Sequence, residues 1–259
     1  MSYTAKATSA NPGRIVFLID VSGSMGDPLA TGELKIDVVN QAVKSAVADL
    51  GGSSMKALDK VSGRYLLAMF SYSQNVTNLL HGFMPISDAD ARKTPKMQPG
   101  GKTNTSKAFQ EVRDLLKAEL ANIKPGDPAP LVCHLTDGEW TDGGDPVSIA
   151  QEIKDMQVDD GNFLVLNIFI SDQVLQQPLP DELREWKGIT STEDLLPGYG
   201  HTLFEMSSLL PETFRQRMLD EEGFEMQSGA KMLFPGAQPE IIYLGLTAAT
   251  KTGAGGIIE

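Results

Sequence analysis

Asp20, Ser22 and Ser24 alternate in the segment Asp20-Val21-Ser22-Gly23-Ser24-Met25, which offers one carboxylate and two hydroxyl oxygens from a single short stretch. Such hard oxygen donors suit magnesium or manganese and also admit calcium. Gly23 lets the backbone turn sharply between the serines. A serine-rich loop that caps the following helix would look the same, so this segment alone leaves both readings open. Two further segments supply oxygens: Gly100-Gly101-Lys102-Thr103-Asn104-Thr105 and Thr136-Asp137-Gly138.

The elements around these segments bring them together. Apolar runs alternate with helix-period stretches, the pattern of strands and crossover helices that build a parallel sheet. Arg14 to Ile19, Tyr65 to Ser71, Leu131 to Thr136 and Phe163 to Ile170 read as strands, with His201 to Met206 as the last strand. Val76 to Phe83 follows its predecessor across Ser73-Gln74-Asn75, short enough for a hairpin, which makes it an antiparallel edge strand. Helices are expected where Ile36, Val39, Val43, Val47 and Leu50 recur, and again at Phe109, Val112, Leu115 and Leu116. Asp145-Pro146 supplies an N-cap and a first-turn proline for a third helix, and Pro211 to Leu219 closes the domain. The expected fold is a doubly wound α/β domain: a mostly parallel six-stranded sheet with one antiparallel edge strand and helices on both faces. Its expected organisation is a flexible N-terminus over 1–12, the domain over 13–222 and a C-terminal extension over 223–259. In that extension Ile241 to Leu246 could add a strand or dock on the domain, ahead of a flexible end. In such a sheet the residues just past the carboxyl ends of the strands line the ligand crevice, and all three oxygen-bearing segments fall there. The connection from Ser171 to Gly200, with six acidic residues against two basic, is expected to carry a short helix near Asp181 to Trp186, to border that crevice, to be mobile and to select partners.

With these three segments in this order the sequence resembles the von Willebrand factor A domain family, whose metal-ion-dependent adhesion site combines Asp-x-Ser-x-Ser with a threonine and an aspartate. The resemblance spans roughly residues 13 to 221 and places Asp20, Ser22, Ser24, Thr103 and Asp137 at the five positions. It implies a Mg²⁺ or Mn²⁺ ion bound directly by the serine hydroxyls, joined by the threonine in the partner-bound state, with the aspartates acting largely through water. It also implies a protein partner that supplies an aspartate or glutamate carboxylate to the metal. Leu135-Thr136-Asp137-Gly138-Glu139, Thr141-Asp142 and Phe70-Ser71-Tyr72-Ser73 look like the intracellular bacterial A-domain proteins of tellurium-resistance and stress-response operons. Trp140, where that subgroup has proline, and Lys102, between the glycines and the threonine, depart from its pattern.

Catalysis is disfavoured by what the motifs lack. A phosphatase of the Asp-x-Asp type needs a carboxylate where Ser22 stands, and a metal-dependent phosphoesterase using the same site is the alternative function. No Gly-x-Ser-x-Gly elbow surrounds Ser22, and His81, His134 and His201 are isolated in the sequence. Gly100-Gly101-Lys102-Thr103 lacks the first glycine of a nucleotide-binding loop at its required spacing. Glu139, Asp142 and Asp145 could hold a second cation but read more simply as solvated loop acids and an N-cap. With 22 basic and 34 acidic residues the chain carries a formal charge of −12, which repels nucleic acid and anionic membrane surfaces. Cys133 is the single cysteine of 259 residues, so no internal disulfide forms; it is expected to be an inert core thiol. The Met1 to Arg14 stretch lacks the apolar run of a signal peptide, and a cytoplasmic setting is expected.

Overall fold

Eight successive buried residues, Gly13–Asp20, form β1. A strand apolar on both faces belongs in the middle of a sheet covered by helices on both sides. The computed structural model describes residues 3–54, 63–89, 94–138, 140–141, 144–236 and 238–250 and places β1 there. In chain order there follow α1 (Lys35–Ser53), β2 (Tyr65–Tyr72), β3 (Val76–Asn78), β4 (Met84–Pro85), α2 (Thr105–Glu119), β5 (Leu131–Thr136) and α3 (Pro146–Asp155). A small hairpin, β6 (Gln157–Val158) and β7 (Gly161–Asn162), precedes β8 (Leu164–Phe169). Then come α4 (Tyr199–Met206), α5 (Glu212–Arg217), β9 (Leu233–Pro235) and α6 (Pro239–Thr250). The sheet order is β3-β2-β1-β5-β8-β9, with β4 also on β2; β3 and β4 are antiparallel to β2 and the other pairs are parallel.

The expected doubly wound architecture is present. Asn167 and Ile168 are consecutive on β8 and so point to opposite faces. Asn167 reaches Ser207 at the end of α4, while Ile168 lies against Gly245 of α6. One face thus carries α4 with α3 and α2, the other α6 with α1. Asp145 begins α3 as expected, its Oδ1 accepting the N–H groups of Val147 at 3.0 Å and Ser148 at 3.3 Å. Cys133 is fully buried, and burial pushes its thiol pKa well up, which leaves it inert.

Several expectations are corrected. His201 to Met206 is not the last strand: it lies in α4, where Gly200, Leu203 and Met206 are buried at intervals of three residues, a helical spacing. The sixth sheet position is filled by β9, which pairs parallel with β8 from Asn167↔Leu233 to Phe169↔Pro235. The described residues from 223 to 250 therefore complete the domain rather than extend it, and Ile241 to Leu246 docks on it within α6 rather than as a strand. Val76 to Phe83 does not run as one strand; Leu79 to Gly82 turns out of line, with His81 at φ 57° and Gly82 at φ 123°. The N-terminal stretch expected to be flexible is held where it is described. Tyr3 N–H donates to the Asp160 carbonyl at 3.1 Å, Ala5 N–H to the Asp160 carboxylate at 2.8 Å, and Thr213 Oγ1 to the Tyr3 carbonyl at 3.0 Å.

The Ser171 to Gly200 connection is packed against the domain. Trp186 and Ile189 are buried, Leu175 bridges to Leu195, and Asp194 Oδ2 accepts the N–H groups of Thr190 and Ser191 at 2.8 and 2.9 Å. Its helical content is limited to single turns at Leu183–Glu185 and Thr192–Asp194. The glycine-rich end beyond Thr250, with Glu139 and Asp142, lies outside the described residues.

At the amino end of the sheet the guanidinium of Arg14 is buried among acceptors. Nε donates to Glu119 Oε1 at 2.8 Å and Nη1 to Asp127 Oδ2 at 2.7 Å. The carbonyls of Pro12 and Asn122 each accept a further bond at 3.2 Å.

Candidate metal centre

Asp20 ends β1, and its carboxylate turns inward. Oδ1 accepts the Ser22 N–H at 2.8 Å and Oδ2 accepts the Thr136 hydroxyl at 2.8 Å. The first of these bonds folds the loop back, so that Ser22 Oγ and Ser24 Oγ stand 3.2 Å apart. A single 3₁₀ turn, Gly23–Gly26, carries the chain on from there.

The other two segments are tied to this loop by backbone bonds. Gly23 N–H donates to the Gly101 carbonyl at 3.0 Å and Gly100 N–H to the Val21 carbonyl at 2.8 Å, which brings Thr103 alongside the serines. Thr141 N–H and Oγ1 both donate to the Thr103 carbonyl, at 3.1 and 3.2 Å, joining the segment after Asp137 to the one before α2. The three segments that carry the five expected residues thus lie together at the carboxyl end of the sheet; Asp20, Ser22, Thr103 and Asp137 are buried and Ser24 is half-buried. Asp145 begins α3 as an exposed N-cap and gives no support to a second cation.

The oxygens fit a small hard cation. Neighbouring ligands of an octahedral ion bound at about 2.1 Å stand roughly 3 Å apart, close to the spacing of the two serine hydroxyls. The crevice also takes a cation from the chain itself, since Lys35 Nζ lies 3.1 Å from Asp137 Oδ2. Among the described residues no three or more His, Cys, Asp or Glu side chains form a metal-binding group. The donor set here is instead two carboxylates with three hydroxyls. Burial pushes the Asp20 pKa up to about 6 against the lowering effect of its bonds from Ser22 and Thr136, and the Asp137 charge adds to the rise.

Behind Asp20 a buried polar chain crosses the sheet. Tyr72 OH lies 3.4 Å from Asp20 Oδ2 and 2.7 Å from His134 Nε2. His134 Nδ1 is 2.7 Å from Asn167 Oδ1, Asn167 Nδ2 donates to Ser207 Oγ at 2.8 Å, and Ser207 Oγ donates to the Leu203 carbonyl at 2.7 Å. Nδ1 must carry a proton to face the Asn167 oxygen, and in the neutral ring Nε2 then takes the single Tyr72 hydroxyl proton at 2.7 Å in preference to Asp20 at 3.4 Å. Burial lowers the His134 pKa to about 4 against the raising effect of Asn167. The His134 NMR signals should therefore titrate near pH 4. A folded pKa below the unfolded value near 6.5 means that the contribution of His134 is fully present above pH 6.5 and is lost as pH falls toward 4, up to about 3 kcal/mol. Asp20, shifted upward, works in the opposite direction over nearly the same window, so the metal-free protein should show little net acid sensitivity from the pair. A His134 midpoint above pH 6 would refute the neutral chain.

Gly138 follows Asp137 at φ 81°, and a Cβ there would come within 2.8 Å of the Phe169 ring and 2.9 Å of Tyr199 Cβ. Beyond it Trp140 packs edge-on against Tyr199 with ring centroids 4.6 Å apart. Asp172 Oδ2 accepts the Ala30 N–H at 2.7 Å, so the long connection touches the crevice at both of its ends.

Residues 15–181 match the von Willebrand factor type A domain model, well over half of the chain. The chain belongs to that family. This A domain is 30% identical over 149 residues to the uncharacterized protein YwmD of Bacillus subtilis (strain 168), a match covering 56% of this chain and 63% of that protein. It therefore spans less than two thirds of that relative's length. Among solved structures, the pilus adhesin SpaC of Lactobacillus rhamnosus GG superposes with a TM-score of 0.58 at 13% identity, over 96% of this chain and 31% of that one. The PilB minor pilin of Streptococcus sanguinis gives 0.54 at 12% identity, over 93% and 61%. At such identities the likeness shows the fold alone. Among the described residues no helix is long and apolar enough to cross a membrane.

Lys35 carried no expectation from the sequence, and Tyr72, Thr136 and Thr141 appeared there only within motifs, without a role in the site. Thr136 had a signal in its place directly before Asp137. Lys35 had none, being 102 residues from the carboxylate it meets.

Proposed function

We propose that this A domain is a non-catalytic module that binds a protein partner through a divalent cation held by Asp20, Ser22, Ser24, Thr103 and Asp137. The supporting observation is the meeting of three separate loops at one crevice, with two serine hydroxyls 3.2 Å apart beside two buried carboxylates. When bound, Mg²⁺ or Mn²⁺ would offer an open oxygen-coordination position to a partner's aspartate or glutamate. The chain's own residues do the rest. The Ser22 N–H and Thr136 hydroxyl hold Asp20 in place, the backbone of the Gly100 segment brings Thr103 to the serines, and the Trp140–Tyr199 pair gives an apolar flank for the partner to rest on. A phosphoesterase is not favoured, because both Asp20 oxygens are already engaged and His134 is buried behind it. The buried single thiol and the resemblance of Leu135 to Glu139 to the tellurium-resistance and stress-operon proteins support an intracellular bacterial setting.

The test is calorimetry with Mn²⁺, followed by capture of partners from native lysate with and without EDTA. Binding of one Mn²⁺ per chain and loss of the captured partner in EDTA are expected. Partner retention in EDTA would place recognition elsewhere on the domain.

A further inference from the structure

Lys35 is the first residue of α1, the positive end of a 19-residue helix, where the macrodipole disfavours a cation. The chain nevertheless fixes it there. Pro28 bridges to Leu34, Leu29 N–H donates to the Glu33 carbonyl at 2.8 Å, and Lys35 N–H donates to the Asp27 carbonyl at 3.1 Å. This closed loop aims the side chain into the crevice. Its ammonium lies 3.1 Å from Asp137 Oδ2, with the two side chains only 13% and 0% exposed. A pair so far from water is weakly screened.

Three charged side chains of the described residues come together here: Asp20, Asp137 and Lys35. Asp20 and Asp137 carry two negative charges and Lys35 returns one positive, leaving one negative. A divalent cation added to the three leaves a net charge of plus one; without Lys35 the loaded site would be neutral. A buried positive charge without a counter-charge is costly, and one external carboxylate removes it.

We propose that Lys35 is a positioning residue that sets this surplus: by holding Asp137 it weakens the site's grip on the metal and reserves one unit of positive charge for a single monoanionic carboxylate of the partner. This rests on the metal-binding reading above and goes beyond it, because it assigns metal affinity and carboxylate affinity to opposite effects of one side chain. The five-residue site by itself gives no reason for that opposition.

The experiment measures Mn²⁺ binding by calorimetry for wild type, Lys35→Met and Lys35→Arg, each with no additive, with acetate and with acetamide. Methionine keeps the length and apolar stem of lysine without its charge, and thermal unfolding checks that each variant is folded; Lys35→Gln serves as a second uncharged variant. In wild type, acetate but not acetamide should tighten Mn²⁺ binding. In Lys35→Met, Mn²⁺ alone should bind roughly tenfold tighter, since a like charge near the ion is gone, and the acetate effect should be largely lost. Lys35→Arg should restore both wild-type behaviours. A purely structural bridge predicts the opposite sign, because losing it would loosen Asp137 and weaken Mn²⁺ binding. Wild type that binds Mn²⁺ while the uncharged variants bind no tighter overturns the role of Lys35 alone. Wild type that takes no Mn²⁺ overturns the metal reading as well.

Discussion

Arg14→Ala is expected to destabilise the domain by about 3–5 kcal/mol, the usual cost of removing one partner from a buried ion pair. Arg14 and Asp127 have side chains only 3% and 1% exposed, so the charge left on Asp127 could not recover hydration in place. Asn11 Nδ2 at 2.8 Å and the Lys124 N–H at 3.1 Å would still bond Asp127, but neither carries a charge. Glu119 and the carbonyls of Pro12 and Asn122 would lose their donor at the same time. Thermal unfolding should show a midpoint lower by roughly 10 °C for a chain of this size. Arg14→Met combined with Asp127→Leu should recover part of the loss, since it removes the charge as well as its partner. Because the network lies at the amino end of the sheet, Mn²⁺ affinity should not change. A single variant within 1 kcal/mol of wild type would mean that water reaches Asp127.

Ser22→Ala is expected to leave the fold intact and to weaken Mn²⁺ binding by at least about a hundredfold, given that loss of even an outer partner of a metal ligand costs roughly 10- to 100-fold. The reason for separating the two effects is local. Asp20 is held by the backbone N–H of Ser22 and by the Thr136 hydroxyl as well as by the Ser22 hydroxyl, so alanine keeps the turn while it deletes the donor oxygen and one of the bonds to Asp20. Its partner Ser24 Oγ, 3.2 Å away, would lose the second hydroxyl of the pair. Capture of the partner should fall with the metal. Unchanged Mn²⁺ affinity measured by calorimetry would remove Ser22 from the donor set.

The parts of this molecule legible in the sequence are those in which the period of the apolar residues and the burial agree. Arg14 to Ile19 reads as a strand because each of its residues is buried, and Ile36, Val39, Val43, Val47 and Leu50 read as a helix because one side alone faces the sheet. The three oxygen-bearing segments were legible through loop chemistry and strand-end position, whereas the choice of five residues within them came from the family resemblance. His201 to Met206 failed because six residues of mixed polarity fit either period, and packing of Leu203 and Met206 decided for the helix. Leu233–Pro235 failed for the opposite reason: three residues ending in proline are too few to show alternation, and only the open edge of β8 makes them a strand. Lys35 failed because charge pairing across the fold leaves no periodic trace.

The position of β9 also bears on how the domain comes into being during synthesis. β8 is complete at Phe169, but its outer edge is paired by β9 and the Ile168 side of the sheet beside α1 is covered by α6, elements that begin at Leu233 and Pro239. A nascent chain that has grown through α4 therefore carries an unpaired parallel edge and an apolar face covered only in part, the kind of surface on which half-made chains stick to one another. The crevice loops follow β1 and β5 and precede α2, all of which are made before Leu233 emerges, so the metal face takes shape ahead of the sheet edge beside it.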